Sequence, residues 1–392
     1  MKHTIPIFSS NTSFALPPLS LYIHIPYCVK KCPYCDFNSH RVIGSLPEKE
    51  YIDALLTDLQ SELPYIWGRR VGSIFIGGGT PSIFSGKSIE YLLSQIRALL
   101  PLAPDAEITL EANPITCEKD YFQAFYDAGI TRLSLGVQSF SDKHLSLLGR
   151  VHNSNEARFA IEIAQKTFPH VNVDLMYALP QQTYKDATTD IQTAVDSGVE
   201  HISAYQLTIE EHTAFGANPP ILPDIDECEE IELSVHETLI NNCFERYEIS
   251  AFAKNKAFCR HNLNYWQFGD YIGIGAGAHG KISFPDKIER SVKIYHPKEY
   301  IESIVKTGQA NLRRLPISTK DLPFEFMLNA LRLLDGVDCE LFTHRTAIPL
   351  VAIQEICNQA KQQGLMIDNP NRLCATEKGI RFLNDLLTLF LA

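Results

Sequence analysis

The sequence has little of what marks membrane-bound, secreted or nucleic-acid-binding proteins. No apolar run approaches the roughly 18–20 residues that span a bilayer, so we expect no integral membrane segment. The first twenty residues lack the apolar core of a signal peptide. The chain has 35 basic and 46 acidic residues, which gives a formal charge of −11. This negative charge disfavours binding to the phosphates of nucleic acid. These features together predict a cytoplasmic protein.

Cysteine is not scarce, but its distribution does not predict disulfides. Three of the ten cysteines lie within eight residues, at Cys28, Cys32 and Cys35, and such thiols are typical of an intracellular protein. Three thiolates are one short of a structural zinc site, whereas a [4Fe–4S] cluster on three cysteines keeps its fourth iron open to another ligand. The C-x3-C-x2-C spacing therefore predicts a cluster. The alternatives are three reduced thiols in a loop, or zinc with a fourth ligand such as His24 or His40.

Between residues 21 and 209, short β-branched apolar runs alternate with amphipathic stretches. This alternation predicts six parallel βα units, with strands at residues 21–25, 71–76, 106–111, 132–136, 171–177 and 201–207. An open barrel and a doubly wound sheet both fit this pattern. Further strands at residues 249–252, 271–274 and 290–295 are predicted to be antiparallel additions. We expect an N-terminal extension (1–20), the βα core (21–209), a barrel-edge extension (210–317) and a small helical, winged-helix-like domain (318–392).

Glycine-rich or polar sequence recurs at the carboxyl ends of these strands. The cysteine loop follows the first strand and Gly77–Thr80 follows the second. Glu111 ends the third strand, Gln138 follows the fourth, and Asp174 lies on the fifth. Because the carboxyl ends of parallel strands meet at one edge, we expect one ligand site there. Two structural interpretations compete with a ligand site. Gly77–Gly79 could simply form a tight turn, and Asp174 could form a salt bridge with Arg150.

A second unusual segment begins at Cys259 and contains His261, Tyr265 and Trp266. The stretch Gly275–Gly280 that follows matches G-x-G-x-x-G, but the sequence after it cannot open the long helix that a dinucleotide site needs. A histidine beside two large aromatic side chains suits a flat macrocycle. A histidine-capped turn over an aromatic core cluster fits equally well.

These motifs resemble those of the HemN-like branch of the radical S-adenosylmethionine (radical SAM) proteins, and within it the heme chaperones. The resemblance runs from residue 21 to the end and includes Gly136-Val-Gln-Ser139 and Ala330-Leu-Arg332. It implies an α/β fold with an open six-stranded (βα)6 partial barrel. In that family SAM binds the open iron of the cluster, and the reduced cluster cleaves the sulfonium to a deoxyadenosyl radical.

The resemblance also implies which residues bind the cofactors. Those that would contact SAM are Tyr22, Tyr34, Gly78, Gly79, Thr80 and Glu111. Those that would line the second SAM or substrate side are Gln138, Arg150 and Asp174. Heme would lie against Tyr265 and Trp266, with His261, His279 or Cys259 as its axial ligand. The partners would be heme-accepting proteins such as respiratory hemoproteins, and no catalytic residue is assigned.

The alternative function is the founding activity of that branch, oxygen-independent coproporphyrinogen III dehydrogenase. That enzyme has another cysteine two positions after the third ligand, where this chain has Phe37, and a longer extension than the 21 residues before Tyr22. A scaffold that holds zinc or a cluster without SAM is a third class. The residues are compatible with SAM binding alone or with SAM cleavage, and with a monomer or a homodimer.

Overall fold

The computed structural model describes residues 16–116 and 119–391. Most of the expected N-terminal extension, and Cys117, lie outside these ranges. Twelve of the described strands form one mixed sheet. They are β1 (Leu19–Ile25), β2 (Val71–Gly78), β3 (Leu102–Ala112), β4 (Arg132–Gln138), β5 (His170–Tyr177), β6 (His201–Gln206), β7 (Glu245–Arg246), β8 (Ala251–Ala253), β9 (Asp270–Ile274), β10 (His279–Ser283), β11 (Ile288–Lys293) and β12 (Asn311–Pro316).

The order of strands in the sheet is β12-β11-β10-β9-β1-β2-β3-β4-β5-β6-β8-β7. Strands β1 to β6 lie side by side in chain order, and all of their pairings are parallel. The helices that connect them are α1 (Glu48–Ile66), α2 (Gly86–Leu99), α3 (Lys119–Ala128), α4 (Asp142–Leu147), α5 (Ser154–Thr167) and α6 (Tyr184–Asp196). The predicted six βα units are confirmed.

The later helices are α7 (Ala214–Ala217), α8 (Ile225–Asn241), α9 (Arg260–Trp266), α10 (Pro297–Thr307), α11 (Leu322–Ala330), α12 (Cys339–Thr346), α13 (Gln354–Gln362), α14 (Glu377–Arg381) and α15 (Leu383–Thr388). The segment from α11 onward has an apolar core of its own, centred on Phe326, Met327 and Phe342, which extends to Phe268 and Ile288 beside the sheet. Among the described helices none is long and apolar enough to cross a bilayer.

Of the three predicted antiparallel additions, residues 249–252 and 290–295 correspond to β8 and β11 and are confirmed, whereas β7, β10 and β12 were not predicted. Strands β7, β8, β10, β11 and β12 pair in antiparallel fashion. Strand β9, the predicted strand 271–274, pairs in antiparallel fashion with β10 on one side but in parallel with β1 on the other, so its prediction holds for one neighbour only. Helix α9 packs across β1 and β2 before β9 begins, and β9 then runs alongside β1 in the same direction.

Side chains along β1 point alternately to two faces of the sheet, one packed against α1 and one turned away from it. Leu21 and Ile23 are fully buried and share a core with Tyr51 and Leu55 of α1. Because successive side chains in a strand point to opposite faces, Tyr22 lies on the face turned away from α1. That second face, which also carries Glu111 and Asp174 on β3 and β5, is called the open face below.

Candidate functional site

The three clustered cysteines lie in the loop after β1, and each sulfur has a polar neighbour. Thr80 Oγ1 is 3.5 Å from Cys28 Sγ, Arg150 Nη1 is 3.5 Å from Cys32 Sγ, and Ser39 Oγ is 3.6 Å from Cys35 Sγ. Burial raises the pKa of Cys28 and of Cys35. Metal coordination deprotonates a thiol, and these neighbours can donate hydrogen bonds to the resulting thiolates.

The glycine segment at the end of β2 lies directly against this loop. Gly78 has a φ of +118°, and a Cβ atom there would come within 2.6 Å of the ring of His24. A Cβ atom on Gly79 would be 2.6 Å from the carbonyl oxygen of Tyr27. The N–H of Gly78 donates to Glu111 Oε2 at 3.0 Å. Only glycine fits at these two positions, and the backbone between the cysteine loop and Glu111 stays open to a ligand.

A cavity of about 520 Å³ on the open face collects most of the predicted site. Its lining includes the three cysteines and eight of the nine residues expected on the SAM side: Tyr34, Gly78, Gly79, Thr80, Glu111, Gln138, Arg150 and Asp174. The ninth residue, Tyr22, lines the neighbouring cavity described below. The volume falls within the range of about 300–1,000 Å³ that is typical of cofactor sites.

Arg150 and Asp174 both reach this cavity, but they form no ion pair in the described part of the chain. Arg150 Nη2 donates to the carbonyl of Gly136 at 2.5 Å. Asp174 accepts hydrogen bonds from Ser134 and Asn172 instead. The alternative of a structural Arg150–Asp174 salt bridge is therefore wrong.

Three polar residues of the cavity were not foreseen from the sequence. Ser134 and Asn172 hold Asp174, and Tyr205 donates to Gln138 Oε1 at 2.9 Å. Each is a single polar residue on a strand with no motif around it. Only the alternation of inward and outward positions along β4, β5 and β6 could have indicated them.

Two carboxyl groups make the cavity electrostatically unusual. Burial, together with the nearby Asp174, raises the pKa of Glu111 to about 8, against the opposing effect of the hydrogen bond from Gly78. Burial also raises the pKa of Asp174. Glu111 is therefore mostly neutral at pH 7, and a cationic ligand would favour its ionised form.

A second cavity, of about 730 Å³, adjoins the first on the open face. It is lined by Tyr22 of β1, by Tyr265 and Trp266 of α9 and by His279 of β10. Its wall is shared with the first cavity at Phe37, Gly78, Glu111 and Trp266, among others. The two cavities therefore lie side by side along the sheet.

Of the three residues of α9 that were predicted to bind heme, two face this cavity and one is buried in the core. Tyr265 and Trp266 face the cavity, and the guanidinium of Arg332 lies 4.3 Å from the centre of the Trp266 ring. His261 is 1% exposed, its Nδ1 is 3.1 Å from Ser73 Oγ, and its ring packs between Phe75 and Tyr265. His261 lines neither cavity.

Comparison with known proteins gives matches along the whole chain. Residues 22–194 match the model of the Radical SAM superfamily, and residues 317–382 match the HemN C-terminal domain. Heme chaperone HemW of Escherichia coli (strain K12) is 47% identical over 96% of this chain and 99% of its own length. Heme chaperone HemW of Haemophilus influenzae is 46% identical over 96% of this chain and 98% of its own. The structure of coproporphyrinogen III oxidase (HemN) from Escherichia coli, a radical SAM enzyme, aligns with a TM-score of 0.81 at 22% identity, over 96% of this chain and 90% of that one.

Proposed function

The chain belongs to the HemW family of radical SAM proteins, and from this membership we propose that it is a heme chaperone. In this proposal the protein holds a [4Fe–4S] cluster, binds SAM and heme, and delivers heme to hemoproteins such as those of respiration. The observation that carries it is the pair of adjoining cavities on the open face, one containing the cysteine triplet and the other walled by aromatic side chains.

Cys28, Cys32 and Cys35 would hold the cluster. Their sulfurs have Thr80, Arg150 and Ser39 as neighbours at 3.5–3.6 Å, and hydrogen bonds of this kind tune a thiolate-bound cluster. When bound and reduced, the cluster supplies an electron to the SAM sulfonium and an open iron to the SAM amino and carboxylate groups. Arg150 would place a positive charge beside the cluster and reduce the net negative charge of its thiolates.

SAM would occupy the cavity of about 520 Å³. Tyr22, Gly78, Gly79 and Thr80 would contact its methionine end, and the N–H groups of the last three donate within the protein to Glu111, Ile25 and Tyr27 respectively. Glu111 would accept hydrogen bonds from the amino group or the ribose. The remaining contacts of the proposal are Tyr34 near adenine and Gln138, Arg150 and Asp174 on the second SAM or substrate side.

Heme would lie in the neighbouring cavity, against Tyr265 and Trp266. Aromatic side chains each offer about 150–250 Å² of surface to a flat ring, and this cavity also has Tyr271 and Tyr295 in its lining. His261 would act on heme through Tyr265, since its own ring lies behind that side chain. Phe37, which is 57% exposed, stands on the wall between the two cavities.

The test compares two activities of one anaerobically reconstituted preparation. Heme uptake is followed by the Soret band, and coproporphyrinogen III consumption is followed with SAM and a reductant. We expect saturable heme binding, weakened by Trp266→Ala, and no coproporphyrinogen turnover. Turnover without saturable heme binding would favour the dehydrogenase.

The cluster is tested in the same preparation. Alanine at Cys28, Cys32 or Cys35 should abolish the iron–sulfur absorbance, whereas Cys243→Ala and Cys357→Ala should retain it. Stoichiometric zinc without iron after reconstitution would contradict the cluster.

A further inference from the structure

Two exposed histidines in the lining of the cavity of about 730 Å³, His212 and His279, make no side-chain hydrogen bond in the described part of the chain, and only His279 lies on a strand. His279 begins β10, lines the cavity and is exposed. In the part of the chain that the structure describes, its imidazole makes no hydrogen bond. Its backbone is fixed, because His279 pairs with Val292 of β11. A rigid strand therefore presents an unused nitrogen donor to an aromatic-walled cavity.

Apart from His212, which lies in a turn rather than on a strand, the other candidate ligands near this cavity have existing contacts. His24 has its Nδ1 2.9 Å from Tyr22 OH and its Nε2 2.8 Å from the carbonyl of Asn38. His40 Nε2 is 3.1 Å from Asn38 Oδ1. Cys259 is 4% exposed, and its Sγ is 3.6 Å from Glu107 Oε1. His24 and Cys259 would have to break an existing contact before they could bind a metal, and His40 has one of its two nitrogens engaged.

His261 is separated from this cavity by its own helix. Its Nδ1 faces Ser73, and its ring is covered by Phe75 and Tyr265. A porphyrin iron needs an open approach perpendicular to the ring plane, and a side chain that is 1% exposed does not offer one. His261 therefore fits a positioning residue that orients Tyr265.

The charge state of His279 also suits iron binding. Partial burial and the nearby Arg290 and Arg313 lower the pKa of His279 below its usual range. A lowered pKa favours the neutral imidazole, which is the form that binds metals.

We infer that the cavity between β1, β9, β10 and α9 is the tetrapyrrole site and that His279 is the axial ligand of the heme iron. This inference rests on the proposed chaperone function and assigns its cargo site. The volume of about 730 Å³ is within the range of cofactor sites. Exposed Phe37 and Tyr295 lie at its rim, so one edge of the bound heme would stay accessible to an acceptor protein.

The experiment titrates ferric heme into the cluster-loaded protein and reads the Soret band and the electron paramagnetic resonance (EPR) spectrum of the iron. His279→Ala should weaken heme binding at least about tenfold and remove the nitrogen-ligand signature, with the cluster absorbance unchanged. Added imidazole should restore that signature. Metal-free protoporphyrin IX should bind the wild type and His279→Ala alike, because ring contacts do not involve the iron ligand.

Two matched variants separate the possible failures. His212 is another exposed histidine in the cavity lining, and His212→Ala should leave the iron spectrum unchanged, as should His261→Ala. If heme binds the wild type and His279→Ala with the same spectrum, or if either of the other two variants removes the signature, the inference is wrong. If the wild type binds neither heme nor protoporphyrin IX, the chaperone function itself is wrong.

Discussion

Replacing Glu111 by Gln should stabilise the protein without its cofactors and remove a pH dependence. The carboxyl has a pKa of about 8 in the folded protein against 4.5 ordinarily, because burial and Asp174 disfavour its charge. Stability contributed by the protonated group is therefore present at low pH and is lost as the pH rises from about 4.5 towards 8. Glutamine has no charge to lose and can still accept the hydrogen bond from the N–H of Gly78.

The expected size follows from the same pKa. At pH 7 the Glu111 carboxyl is ionised in the unfolded chain and mostly neutral in the folded protein. This difference lowers the free energy of unfolding by about 1.4 kcal/mol for each pH unit between 4.5 and 8. The cost is about 3 kcal/mol at pH 7, about 4 kcal/mol near pH 8 and less than about 1 kcal/mol at pH 5. Glu111→Gln should raise the free energy of unfolding by these amounts.

Urea unfolding followed by circular dichroism at pH 5, 7 and 8 measures this difference. The control is Glu90→Gln, which removes one negative charge from an exposed position on α2 and should shift all three values equally and slightly. Parallel pH profiles for the wild type and Glu111→Gln would refute the reasoning, since they would mean that Glu111 ionises normally. SAM offers a second reading: its positive charge favours ionised Glu111, so wild-type SAM affinity should rise from pH 6 to 8 and that of the variant should not.

Two further predictions concern the glycine segment and the buried charges. Gly78→Val should abolish the effect of SAM on the EPR spectrum of the reduced cluster, because its Cβ would lie 2.6 Å from the His24 ring. The control is Gly308→Val, which should leave the effect of SAM unchanged. Gly308 also has a positive φ, but no atom lies within 4 Å of the position of its Cβ. Lys293→Met should lower the free energy of unfolding by about 3–5 kcal/mol in urea unfolding, because Lys293 Nζ is 2.6 Å from both Asp58 and Glu62 in the core. Lys49→Met, which breaks an exposed pair with Asp53, should change it by less than about 1 kcal/mol, and equal losses would contradict this reasoning.

The sequence predicted the parallel core well because local signals and the overall fold agree there. The six apolar runs alternate with amphipathic helices, and β1 to β6 pair in the order of the chain. The direction of β9 could not be predicted, since it depends on how α9 packs across β1 and β2.

The candidate site likewise contains residues that local sequence motifs predicted and residues that they did not. The cysteine loop and Gly78 carry motifs, so they were found from sequence. The burial of His261 was not, because its partner Ser73 is 188 residues away. His279 entered only as one of three possible ligands, and its free ring became apparent once the lining of the cavity was known.

The fold does not decide between the proposed chaperone and a coproporphyrinogen III oxidase, because this chain shares its fold with such an oxidase at a TM-score of 0.81. Function on a shared fold depends on the chemistry of the site. Both cavities of this chain meet at Glu111, Phe37 and Trp266, so a tetrapyrrole in one cavity would contact the wall of the other. A dehydrogenase of this fold must bring its substrate to the cluster across this boundary, whereas the proposed chaperone does not. Phe37 lines both cavities at this boundary, at the position where the sequence comparison gives the dehydrogenase a cysteine, and this difference favours the proposed chaperone.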